Sequence, residues 1–175
     1  MTPWFIATKT FGPANGDDWI KYVEWSGLGQ LDELISLDIG LCPTLLPDIE
    51  DDYWPHIVNE DYCLNFFTNL PFLRQQVVNI DGGRILCVYR NPATAPILPA
   101  ELSGFRPVGY DLVEDRTGIS ALSNSGGWPG VLVNSELSCK GLIENHARAV
   151  QLQEQLVRQY PKEHHADCDV WAIFA

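Results

Sequence analysis

Residues Val170, Trp171, Ala172, Ile173 and Phe174 are apolar without interruption, and this run constrains the fold more than any other feature of the chain. It is too short for a buried helix, so it predicts a strand covered on both faces. Such a strand belongs inside a sheet, because an edge position would expose a row of unpaired backbone groups.

The remaining pattern supplies the neighbours. Trp4 to Phe11 reads as a strand ended by Gly12, Pro13, Asn15 and Gly16. Asp17 and Asp18 open a short helix with Trp19, Ile20 and Val23 on its apolar face, and Gly27 stops it. A second helix is expected from Gln30 to Asp38, and a third from Asn59, with Cys63, Phe66, Phe67 and Leu70 on one face. Asp81-Gly82-Gly83 lies between Val77, Val78, Ile80 and the run Ile85 to Tyr89, the signature of a tight hairpin. After a proline-rich loop from Asn91 to Gly104, Val108 to Val113 alternates and turns through Asp115 to Gly118 into Ile119 to Ser123, a second hairpin. The longest helix is expected from Ser138 to Tyr160, ended by Pro161, with Glu144/Arg148 and Glu154/Arg158 as i,i+4 pairs. These elements predict an α+β fold: an antiparallel sheet of about five or six strands with a long C-terminal helix packed on one face. At 175 residues, residues 1–175 fit a single globular domain that buries roughly 70% of its unfolded surface.

Charge is unevenly distributed. Residues 1–61 carry twelve carboxylates against Lys9 and Lys21, a net −10, whereas the remaining residues carry eleven against nine basic groups, a net −2. The acidic third also holds Trp4, Trp19, Trp25, Tyr53 and Trp54. Residues 40–55, with three prolines and four acids, read as an exposed loop. Carboxylates beside large amphipathic rings suit a basic protein surface, the acids imitating phosphates and the rings supplying buried contact. The expected partner-binding residues are Asp48, Glu50, Asp51, Asp52, Tyr53, Trp54, Glu60 and Asp61. The function expected is a small acidic protein-binding module engaging a basic partner, as an inhibitor or immunity-type protein does, an analogy drawn from charge and size. The alternative is an enzyme or small-ligand binder with a pocket near residues 111–146, using Cys139, His146 or Asp111.

Other classes are disfavoured. A chain of net charge −12 lacks the cations that nucleic acid and anionic lipid require. No apolar run approaches the ~20 residues of a membrane span, and Met1 to Phe11 has no signal-peptide pattern, so the expected location is the cytoplasm. Cys42, Cys63, Cys87, Cys139 and Cys168 are scattered, which predicts reduced thiols, mostly in the core. No cofactor is expected. The acidic loop lacks the glycine and distal Glu of a calcium loop, and His164, His165, Asp167, Cys168 and Asp169 have no spacing that selects further zinc ligands. Ser123 to Gly130 is glycine-rich, yet no Lys follows it as in a phosphate loop. Asp111, the one charge in an apolar strand, is expected to face outward.

Overall fold

The computed structural model describes residues 2–48, 50–58, 63–114, 116–123, 128–163 and 167–175. Four strands, β1 (Trp4–Lys9), β2 (Gly83–Arg90), β3 (Pro107–Glu114) and β4 (Cys168–Phe174), form one antiparallel sheet in the order β1-β2-β4-β3. Three helices accompany it: α1 (Asp17–Ser26), α2 (Leu70–Val77) and α3 (His146–Gln159). No helix among the described residues is long and apolar enough to cross a membrane. The apolar run lies in the inner strand β4, all of whose residues are buried.

Alternation along the strands divides the core between the two faces of the sheet. Phe5, Ala7, Cys87, Tyr89, Tyr110, Leu112, Val170, Ala172 and Phe174 join a cluster with Leu70 and Leu73 of α2 and Ala149, Leu152 and Leu156 of α3. Ile6, Leu86, Val88, Val113, Trp171 and Ile173 point the other way, onto Ile35, Leu37, Leu64, Phe66 and Leu142. Phe66 stacks on Trp171 with ring centroids 4.7 Å apart. The first face is therefore covered by helices α2 and α3 together with irregular chain such as Ala121, Trp128 and Leu132, and among the described residues the second is covered by irregular chain without a helix.

The expectation of five or six strands is corrected to four, and each missing strand has a cause. Residues 77–80 do not pair with β2 because the chain before them is helical: Asn69 Oδ1 caps α2 by accepting the Phe72 N–H at 3.0 Å, and Pro71 sits in its first turn. Ile119 to Ser123 returns along β3 but forms a single bridge with it, between Val113 and Ser120, made by the Glu114 N–H to the Ile119 carbonyl and the Ala121 N–H to the Leu112 carbonyl. The ladder goes no further because Tyr110, next in line on β3, pairs with Ile143 instead and the Leu122 N–H turns back to Ser120 Oγ at 3.1 Å, while the Ser120 N–H, pointing away from β3, is taken up by Asp38 Oδ2 at 3.0 Å.

The long helix from Ser138 to Tyr160 is corrected to the 14 residues of α3. Asn145 Oδ1 accepts the Arg148 N–H at 3.0 Å and fixes the start. The preceding chain instead pairs with β3, Tyr110 and Ile143 exchanging backbone hydrogen bonds of 2.8 and 3.1 Å. Gly109 permits that approach, since a Cβ there would lie 2.8 Å from Leu142 Cβ and 2.9 Å from the Ile143 carbonyl. Glu144 thus precedes the helix, and Arg148 grips Glu136 through Nε at 2.6 Å.

Helix α1 forms where expected and ends at Gly27, whose φ of 68° lets its N–H return to the Val23 carbonyl. Its inner face is Trp19, Tyr22 and Ser26, with Ile20 turned outward. No helix spans residues 30–38. Asp32, Leu34 and Ile35 donate their N–H groups to the carbonyls of Cys139, Phe11 and Lys140, which holds the segment extended. The helix expected from Asn59 has its start outside the described residues. Residues 63–69 are non-helical, and Phe67 exchanges backbone bonds with Phe5.

Candidate interaction surface

The acidic loop hangs on the outer edge of β1. Leu45 donates its N–H to the Ala7 carbonyl at 2.9 Å, and Asn65 Nδ2 donates to the carbonyls of Leu46 and Pro47 at 2.9 and 3.0 Å. From there Asp48, Glu50, Asp51 and Asp52 are exposed, and no ion pair ties them among the described residues.

Tyr53 turns inward at the loop's far end. It is 5% exposed, and its ring meets Phe67 and Phe72 edge-on at 5.9 and 5.6 Å. Burial, followed by the charges of Glu50 and Asp52, pushes its phenol above the usual range. The expectation that Tyr53 contacts a partner alongside Trp54 therefore meets a different arrangement: its ring is a plug. Behind it, the His56 ring packs tilted against Phe72 with centroids 4.1 Å apart, and its Nδ1 accepts from Asn69 Nδ2 at 3.3 Å. Trp54 faces the other way and is 59% exposed. Glu60 and Asp61 lie outside the described residues. The arrangement is a rim of carboxylates and one indole, held by an aromatic anchor.

The residues considered for chemistry do not converge. His146 lines a groove of about 640 Å³ between α3 and Asn91-Pro92-Ala93, and its Nε2 is bonded to the Pro92 carbonyl at 2.7 Å. Cys139 lines another, of about 460 Å³, beside Glu33, Arg84 and Lys140. Its thiol is held up in pKa by a hydrogen bond to Asp32, which opposes a reactive thiolate. Cys63 and Cys139 are exposed, correcting their placement in the core, whereas burial pushes Cys42, Cys87 and Cys168 up to about 12. No disulfide joins these cysteines. His164, His165 and residues 124–127 of the glycine-rich loop lie outside the described residues. Asp167 pairs with Arg116 at 3.4 Å, and Asp169 with Arg90 at 2.5 Å.

Asp111 is fully buried, correcting its expected outward position. Its Oδ2 accepts Ser36 Oγ at 2.6 Å and the Leu37 N–H at 3.0 Å, and its Oδ1 accepts the Leu112 N–H at 2.8 Å and Ser120 Oγ. Asp38, equally buried, accepts the N–H groups of Gly40, Leu41 and Ser120 and the hydroxyl of Ser123 at 2.9–3.1 Å. Tyr22 extends the network by donating to the Ser123 carbonyl at 3.0 Å. Burial, with the Asp38 charge adding to it, raises the Asp111 pKa against the lowering effect of its donors. Both carboxylates serve as acceptors for irregular backbone that has no ladder of its own. The sequence shows locally only Ser120 and Ser123 downstream of a charge in an apolar strand, since Ser36 arrives from 75 residues away. The chain matches no protein-family model, and no curated protein or solved structure is similar enough to assign it to a family.

Proposed function

We propose that this protein is a binding module for a basic partner protein, acting in the cytoplasm as an inhibitor or immunity-type protein does. The supporting observation is the rim at residues 48–54, where four exposed carboxylates and an exposed Trp54 are presented by a segment plugged into the core through Tyr53. An anchored rim loses less conformational freedom on binding than a free loop. The carboxylates steer a cationic surface into encounter, and the indole supplies the buried contact that slows its departure. A cytoplasmic setting fits the scattered cysteines.

The test is kinetic, using biolayer interferometry against a panel of immobilised basic nucleases. The combined variant Asp48→Asn, Glu50→Gln, Asp51→Asn, Asp52→Asn is expected to slow association and flatten its salt dependence. Trp54→Ala is expected to speed dissociation about tenfold or more, the effect of losing a ~2 kcal/mol anchor. A panel without a binder, or a binder whose rate constants both variants leave unchanged, rejects the reading.

A further inference from the structure

Residues 91–100, Asn-Pro-Ala-Thr-Ala-Pro-Ile-Leu-Pro-Ala, carry no charge and join no helix or strand before the turn at Ala100. Proline fixes its own φ and drives the residue before it out of the helical region. The pairs Ala95-Pro96 and Leu98-Pro99 are thus restricted to extended backbone. Pro99 stands at φ −62°, ψ 155°, polyproline II geometry. That helix repeats every three residues, so a polyproline II course over residues 96–99 puts Pro96 and Pro99 on one edge. Among the described residues, 93–98 make no backbone–backbone hydrogen bond, as polyproline II requires.

The segment is nonetheless pinned. Pro92 is buried with its carbonyl bonded to His146, and Leu98 packs against the core. Between these anchors Ile97 is 92% exposed, the most exposed large apolar side chain among the described residues. Tyr89 and the strap wall a groove of about 640 Å³.

We propose that residues 93–99 are a docking strap for a partner domain that reads polyproline II in an aromatic-lined groove, with Pro96, Ile97 and Pro99 as the contacting side chains. Proline rings and an isoleucine complement aromatic walls, and the pre-set backbone enters such a groove with little loss of freedom. The strap carries no charge of its own, so its binding is insensitive to salt. That property separates it from the acidic rim, on which it does not depend.

The experiment titrates the ¹⁵N-labelled full chain with purified WW, SH3 and EVH1 domains and, in parallel, with phosphatidylcholine vesicles. At least one domain is expected to shift the amides of Tyr89, Ala93, Thr94, Ala95, Ile97 and Leu98 saturably, with equal affinity at low and high salt. Pro96→Ala/Pro99→Ala is expected to weaken that affinity about tenfold or more, as loss of a contact hot spot does. Ile97→Ala, which leaves the backbone restraints intact, is expected to weaken it severalfold and serves as the readout if the double variant is unfolded. The proposal fails if no domain shifts the strap, if both variants bind like the wild type, or if vesicles alone shift it.

Discussion

The two faces of the sheet bury apolar side chains of similar kind but deal differently with the backbone that covers them. On one face α2 and α3 satisfy their own N–H and C=O groups, so Leu73, Leu152 and Leu156 need only fill space. On the other, residues 34–41 cover the sheet without regular structure and 118–123 return along the outer edge of β3, and N–H groups of both segments find acceptors in Asp38 and Asp111. Helical cover is self-sufficient, whereas irregular cover requires side chains that act as backbone. The expected consequence is that polar truncation is costly on the second face and mild on the first.

The strongest challenge to this comparison is Asp111→Ala. It strips the acceptor from four donors in a fully buried site and is expected to cost about 3–5 kcal/mol in urea denaturation. A loss under ~1 kcal/mol would show that water or rearranged chain readily replaces the carboxylate. On the helical face, Leu152→Ala is expected to cost about 2–5 kcal/mol as a cavity. There Gln153→Ala, which removes a single bond to the Cys168 carbonyl, should cost only about 1 kcal/mol.

Acidification sharpens the contrast, because two carboxylates on the coil-covered side respond with opposite signs. The Asp111 pKa is raised by burial, so the folded state holds its proton more tightly than the unfolded state. Its contribution to stability is fully present below the unfolded pKa and is lost as pH rises through the folded one. For Glu33 burial acts upward, but hydrogen bonds and charge from Lys140 and Arg84, at 2.9 and 3.0 Å, outweigh it and lower the pKa. Its contribution is present above the unfolded pKa and is lost as pH falls through the lowered one. The stability difference between wild type and Asp111→Asn should therefore grow on acidification through the carboxylate range. The difference from Glu33→Gln, about 1 kcal/mol at neutral pH, should shrink. Slopes of the same sign in denaturant melts across that range would contradict the assignment. An equally small effect is expected on the helical side, where Asn145→Ala removes the cap of α3 and costs about 1 kcal/mol, seen as a modest fall in Tm.

This asymmetry also explains what the sequence could reveal. The strands β1, β2, β3 and β4 and helix α1 were legible because their apolar periodicity or turn residues are local. The cover of the second face was not. Leu31, Leu34 and Ile35 have helical spacing, yet contacts more than 100 residues away, at Cys139 and Lys140, hold their segment extended. Val77 and Val78 look like strand residues, but the Asn69 cap and Pro71 decide for helix. For the acidic rim the sequence indicated exposed carboxylates and Trp54, whereas Tyr53 as a plug depends on Phe67 and Phe72 meeting it in space. Asp111 was misread because alternation specifies a face of the sheet, and here both faces are covered.

The place of β4 has a bearing on how the molecule is made. β2, already paired with β1, and β3 do not pair with each other but are joined through β4, so during synthesis both wait with an open edge until residues 168–174 leave the ribosome. Through that interval Tyr89, Leu112 and their neighbours lack the strand that links them. Pairings of such long sequence separation form slowly, and the nascent chain is then a natural client for chaperones that shield unpaired strand edges.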